Sequence, residues 1–452
     1  MRTTFTLLVR PSSGGIEGEV APPPRDPEEI PPLPDIEKRS LRYMMSIYGG
    51  FKGSARRLLA ASFLTAIGGG MSWFVLILYI HELFPDLSNV GYIFSIASWT
   101  IVFFILPSGW LVDRFDHRKM LALALFISGI SMAMFAMVQE LWMIVLAQIL
   151  NGASTALTRP AFSALMTEKT SDQRRKYLFA LQSMVSMIGV AIASAMAGAW
   201  TIIARETFAM ELEEAYRVMF VLAAMTNMLA VVIALAIRPG EEGREDKKEE
   251  LPSLVDGDED AAEARRKGLR FIVRFSTPMA FIGFGAGFVV PYFQLYYILK
   301  FDIDVAQVAW LFVATQVAMG LSFFFVPNLA ERRGSVNTVV LTQAIAVINL
   351  ALIPFAPIFL MAAPFHLMRM AMMNASTPIQ NSLMMGAVRP ADRGKAAAVG
   401  QLMWTVTNSI GITFAGFVMD NYGLDTPFII AVSFYSAAVV LFWYWFRNVG
   451  EM

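Results

Sequence analysis

The sequence predicts an all-α membrane protein with twelve transmembrane helices, arranged as two parallel-repeat bundles of six. Three observations carry that prediction. The 452 residues are 56% hydrophobic and only 16% charged, where a soluble domain carries about 25% charge. Twelve apolar stretches reach the ~20 residues that a helix needs to cross a bilayer. A single offset of 218 residues aligns the first half of the chain with the second in one register across about 110 residues.

Taken in order, the chain opens on material of a different kind. Residues 1–50, with APPPRDPEEIPPLPDIEKR at 21–39, are rich in Pro and acidic residues and have little to bury, which predicts a disordered tail. That tail lacks the apolar core and small-residue cleavage site of a secretory signal. A first body follows at 56–237, with spans starting near Leu58, Asn89, Met120, Leu141, Tyr177 and Val218. Residues 238–268 are polar and charged throughout and read as a linker. A second body occupies 269–447, with spans starting near Leu269, Val305, Val336, Ile358, Ala396 and Thr426.

Orientation follows from the basic residues. The short loops after odd-numbered spans hold only Arg205, Arg217 and Lys300, and Arg159 and Arg369 fall within spans; the remaining 31 of 36 Lys and Arg lie on the side of the tail. Basic loops stay inside, so both termini are expected in the cytoplasm of a cell-membrane, multi-pass protein. A net charge of zero gives no basis for a nucleic-acid partner, and the absence of cysteine removes disulfides and thiolate chemistry. His81, His117 and His366 fall at separate heights, so no metal site is expected, and no phosphate-binding loop or other cofactor motif is present. The reading is therefore not an enzyme.

The repeat is weak in identity but constant in register. GWLVDRFDHRK at 109–119 lies over PNLAERRGSVN at 327–337, so that Asp113 falls on Glu331 and Arg114 on Arg332. Without a gap, Asp86 falls on Asp304, Pro160 on Pro378, Arg175 on Arg393 and Gly198 on Gly416. Two halves related in the same direction describe a parallel repeat of the kind secondary transporters use.

GWLVDRFDHRKML resembles the loop 2–3 motif of the major facilitator superfamily, Gly-x-x-x-Asp-Arg/Lys-x-Gly-x-Arg-Lys. Gly109, Asp113, Arg114, Arg118 and Lys119 match it, and Asp116 stands where the second Gly is usual. PNLAERRG is a degenerate copy with Glu331, Arg332 and Gly334. The resemblance covers about residues 56–447 and implies a carrier that moves a small-molecule solute across the lipid bilayer by alternating access. It also implies a cytoplasmic gate at this loop. Gly109 is expected to let neighbouring backbones approach. Asp113 and the cations are expected to make contacts present in only one global state. Partners are offered by Glu168, Asp172, Arg174 and Arg175 in MTEKTSDQRRKY and by Asp392 and Arg393 in AVRPADRGK. Arg159, about 27 Å into span 4 at 1.5 Å per residue, is expected near the cytoplasmic edge, as a gate or snorkelling residue.

Polar groups near mid-membrane are the candidates for the binding site. Arg369 is foremost, about halfway across span 10, with His366 above and Asn374 below. Its repeat partner Asn151 sits with Gln148 in span 4. Trp73, Gln294, Gln401 and Trp404 are further candidates, each of which serves equally as packing. No Asp or Glu falls in the central stretch of any span, whereas proton-coupled carriers need a group whose charge can change with burial. Protons or another coupling ion stay open, and a monomer is expected. Span 5, SMVSMIGVAIASAMAGAW, also lacks the Pro of the helix-5 pattern that drug–proton antiporters of this fold carry. A lone central Arg suggests a solute with an anionic or carboxylate group. Lipophilic drug efflux by proton antiport is the alternative, and a non-transporting receptor on the same scaffold the third reading.

Overall fold

The computed structural model describes residues 53–170, 172–238, 259–388 and 393–447; the tail expected at 1–50 and the middle of the expected linker lie outside them. Fourteen α-helices account for twelve spans. In the first half these are α1 (Ser54–Leu83), α2 (Leu87–Arg114), α3 (His117–Ala136), α4 (Leu141–Glu168), α5 (Asp172–Glu206) and α6 (Leu212–Leu235). The second half contains α7 (Glu259–Val289), α8 (Phe293–Phe301), α9 (Val305–Arg333), α10 (Ser335–Leu352), α11 (Phe359–Ala375), α12 (Thr377–Ala387), α13 (Arg393–Tyr422) and α14 (Thr426–Phe446). Eleven helices are long and apolar enough to cross a membrane. The tandem of α11 and α12 supplies the remaining span.

The offset of 218 reappears in the helix boundaries. It carries Leu87 onto Val305, His117 onto Ser335 and Leu141 onto Phe359, the first residues of α2/α9, α3/α10 and α4/α11. It also carries Leu83, the end of α1, onto Phe301, the end of α8. Local chemistry sets these edges. Asp116 accepts hydrogen bonds from the Arg118 and Lys119 amides at 2.9 and 3.3 Å, satisfying donors that α3 leaves open at its N-terminus. Asp304 and Gln307 form a capping box at the start of α9. Gly334, at φ 80°, makes the reversal between α9 and α10, a backbone conformation that costs glycine little.

Spans 7 and 10 are not single helices. The first breaks over Val290–Tyr292, where Pro291 has no amide to donate. The second breaks at Ser376, just before Pro378. Helix α7 begins at Glu259, ahead of its apolar, membrane-length stretch from Arg270. The short helix α8 is clamped inside its half. Lys300 donates to Asp425 at 2.6 Å and to the Pro354 carbonyl at 2.5 Å, while Tyr296 donates to the same carboxylate at 2.7 Å.

The halves meet along α2 with α13 and α5 with α9, and their joints lie at the ends opposite loop 2–3. Ser88 donates to Asp420 at 2.6 Å, Trp99 to Thr413 at 3.0 Å, and Arg205 pairs with Asp304 at 3.4 Å. The tightest contact joins two glycines. A Cβ on Gly91 would meet the Gly416 amide at 3.1 Å, and one on Gly416 would strike the Leu87 carbonyl. Missing side chains let the two backbones touch there. On the loop 2–3 face, the hydrogen bonds of His117, Glu168 and Arg118 stay within the first half.

Candidate functional site

Three cavities share Arg159 in their lining, and each is mostly apolar with a few polar groups. One, about 460 Å³, is walled by α7, α11, α12, α13 and α14 and includes Arg369, Asn374, Gln380, Gln401, Trp404 and Tyr435. A second, about 290 Å³, runs between α2, α4 and α13, past Thr155, Gln401, Trp404 and Asn408. The third, about 600 Å³, is enclosed by α1, α4 and α5 and exposes Trp73 beside Ser62, Thr65, Gln182 and Ser186. Arg159 borders all three. No Asp or Glu lines any of them among the described residues.

Arg369 sits on α11 where the helix approaches its break, and only 2% of it is exposed. Its Nη2 donates to the Tyr435 hydroxyl at 2.7 Å, and the guanidinium lies 5.3 Å from the Phe293 ring centre and 5.6 Å from that of Tyr435. Its Nε is buried without a partner, and no ion pair reaches it among the described residues. A charged side chain at mid-membrane costs about 2.5–3.5 kcal/mol on insertion scales. Two aromatic faces and a phenol offset part of that. Its Nη1 lies 2.7 Å from Met370 Sδ, and the side chain borders the compartment. Arg159 is exposed to the cavity and has no hydrogen-bond or ion-pair partner among the described residues. It was expected near the membrane edge, but the cavity extends to that depth and the side chain opens into it.

The other candidates divide. Asn374, Gln401 and Trp404 share a compartment with Arg369, and Trp73, 43% exposed, faces another. His366 is fully buried behind Arg369, with Nδ1 2.9 Å from the Tyr297 hydroxyl and the Phe293 ring 4.7 Å away. Gln148 is fully buried and donates to the Ile93 carbonyl at 3.1 Å, tying α4 to α2. Asn151 is half-buried. Gln294 is fully buried with both amide atoms unpartnered. Several residues that line the cavity were not singled out from the sequence: Tyr435, Gln380, Ser62, Gln182 and Ser186. The spacing of Gln182 and Ser186, one turn apart in an otherwise apolar span, was the available signal.

At loop 2–3, contacts stay within the first half. Glu168 pairs with His117 at 2.8 Å and Lys169 at 2.7 Å. Arg118 donates to the Ile237 carbonyl at 3.2 Å, at the end of α6. Arg114 stacks 5.2 Å over Trp110. Asp113, Lys119, Glu331 and Arg332 are exposed, and Arg175 is half-buried. The side chains of Asp172, Arg174, Asp392 and Arg393 lie outside the described set. In this conformation a Cβ on Gly109 would meet nothing within 4 Å. The close contacts fall instead where α2 begins, at Gly91.

Two six-helix halves that pack together opposite loop 2–3, with a cavity bordered by both, have the architecture of a membrane carrier. The chain belongs to the Major Facilitator Superfamily, whose family model matches residues 58–290 and 279–451. Among named relatives, the uncharacterised MFS-type transporter YhjO of Bacillus subtilis (strain 168) is 25% identical over 146 residues, 32% of this chain and 36% of that protein. The multidrug resistance protein MdtG of Salmonella dublin is 28% identical over 162 residues, 34% of this chain and 40% of that protein. The chain thus matches two fifths or less of the length of these relatives. In fold, it resembles a bacterial homologue of the human lysosomal transporter Spinster, with a TM-score of 0.71, 14% identity, and coverage of 87% of this chain and 96% of that one. The nucleoside transporter NupG superposes with a TM-score of 0.66 at 15% identity, over 88% and 99% of the two chains.

Proposed function

We propose that this transporter moves a small anionic solute, one bearing a carboxylate or similar group, by alternating access about the Arg159–Arg369 cavity. The observation that carries the reading is the pairing of two arginines on one cavity whose described lining holds no carboxylate. A cationic drug would meet like charge there, whereas an anion supplies what the buried Arg369 lacks. The likeness to MdtG covers a third of the chain and does not outweigh that chemistry.

With the basic loops in the cytoplasm of a cell membrane, the present conformation is closed outside and open inside. The Gly91–Gly416 contact is then the outer seal, and Asp113 with its neighbours waits for partners that exist only when the inner face closes. No lining carboxylate offers a proton-coupling group, so the solute's own gradient, or exchange for a second anion, drives the cycle.

The test is flux by purified protein in liposomes, with and without imposed pH and voltage gradients, against carboxylates, phosphate esters and lipophilic cations. Uptake of anions that other anions compete for, lost in Arg369→Gln, is expected. Proton-driven movement of lipophilic cations, indifferent to that substitution, would overturn the reading.

A further inference from the structure

Beyond its charge, the solute's neutral part is written into the opposite wall of the cavity. We infer that the solute is a hydroxylated anion, of the size and chemistry of a sugar acid or sugar phosphate. Its anionic group lies between Arg159 and Arg369, and its hydroxyl-bearing body rests against α1, α4 and α5. The inference builds on the anion-carrier reading above.

The wall in question bounds the compartment of about 600 Å³. Its centre is a built arrangement. The Gln182 amide nitrogen donates to Ser62 Oγ and to Ser186 Oγ, each at 3.0 Å, and the two hydroxyls lie 3.2 Å apart. One serine hydrogen satisfies the other serine, and the second remains to be donated. Around this centre, Thr65 Oγ1 donates to the Ala61 carbonyl and Thr158 Oγ1 to the Ser154 carbonyl, each at 2.8 Å. A threonine hydroxyl committed in this way has used its only hydrogen and keeps its lone pairs. The polar groups of this wall, set among apolar Trp73, Phe162, Met166, Phe179 and Val190, therefore present mainly acceptors. A solute that fits it must bring O–H or N–H donors.

Alternatives fare worse on the same surface. A plain alkyl carboxylate would satisfy the arginines but bring no donor to the lone pairs that these oxygens keep. A second anionic group would find the same acceptors repulsive.

Shape points the same way. Trp73 is 43% exposed on this wall, and Trp404 borders the two neighbouring compartments. Each lines a compartment that Arg159 also lines. Indole faces in a cavity suit a compact ring whose C–H face packs on an aromatic while its rim hydrogen-bonds.

The experiment is equilibrium binding to the purified full chain with four probes of similar size. These are glucuronate, glucose 6-phosphate, cyclohexanecarboxylate (charge and ring without hydroxyls) and glucose (hydroxyls without charge). At least one hydroxylated anion is expected to bind about tenfold or more tighter than cyclohexanecarboxylate, a preference of about 1.4 kcal/mol, and the stronger of the two identifies the anionic group. Gln182→Leu is expected to erase that preference while leaving the cyclohexanecarboxylate Kd unchanged. Thr65→Val, which keeps shape and removes one acceptor, should reduce it in part and guards against a folding defect in the first variant. If cyclohexanecarboxylate binds as well as the hydroxylated anions, or if the variants weaken both classes equally, the inference fails and the anion carrier stands. If no anion binds, or glucose binds as tightly as glucuronate, the anion reading itself fails.

Discussion

The two halves share one ancestral register, yet they differ where it matters to the cavity. In the first half, α1 and α4 run unbroken, and α4 does so although Pro160 lies inside it. In the second half, the corresponding spans are split, α7 from α8 and α11 from α12, although Pro378 is the repeat partner of Pro160. A proline therefore does not decide the break by itself; neighbouring side chains and the first turn it can occupy do. Chemistry differs in parallel. The unbroken half offers hydroxyls and an amide, with Arg159 at its edge, while the broken half buries Arg369 among Tyr435, Phe293 and Met370. The two walls now differ: one buries Arg369 beside Asn374, Gln380 and Gln401, and the other carries Arg159 with Ser62, Gln182 and Ser186; in the proposed reading the first is the cation pole.

The sharpest way to break this comparison is to make the halves alike at the repeat position shared by Arg369 and Asn151. Arg369→Asn is expected to lower solute flux by about 100-fold or more, because a buried, charge-assisted contact is lost. Asn151→Ala, half-buried and outside the cation pole, should change flux by no more than about twofold. Flux in proteoliposomes decides it. Equal losses in the two variants would mean that the cavity is not polarised.

Asp113 and its repeat partner Glu331 supply a second contrast, at the loops. Both are exposed on the open face and have no ion-pair partner among the described residues. If contacts made only in the other state bias the cycle, Asp113→Asn keeps expression and cuts flux by about tenfold, while Glu331→Gln, in the degenerate copy, costs less. Wild-type flux in Asp113→Asn would remove the gate assignment.

Much of this was legible beforehand. Spans, their number and the offset of 218 follow from hydropathy and period, because a bilayer demands a continuous apolar length and a duplication preserves its spacing. Arg369 stood out since an ionisable group deep in a span has few structural excuses. The wall at Ser62, Gln182 and Ser186 did not stand out, since hydroxyls that bond their own helix are common and inexpensive, and only rotation of α1 and α5 about their axes decides whether they face the cavity or the lipid. Gly109 is a related case. A glycine near a helix end permits close approach, but the partner that would come close is set by the conformational state, and in this state the approach is at Gly91 and Gly416.

That seal gives the mildest test and the one that reads conformation directly. The chain has no cysteine, so a single Ser88→Cys reports on the closed face by its rate of thiol labelling. Ser88 donates to Asp420 one turn from the glycine contact, and a side chain at 416 would press on the Leu87 carbonyl. Gly416→Ala in the Ser88→Cys background is expected to raise labelling by about three- to tenfold, a shift of roughly 0.7–1.4 kcal/mol in the balance of states. The effect on flux should be smaller, because the cycle needs this face to open as well as to close. The mirrored substitution, Gly109→Ala, meets no neighbour and should leave the rate unchanged. An equal rise in both variants would mean that the two faces are sealed by the same means, and the asymmetry drawn from the glycines would fall.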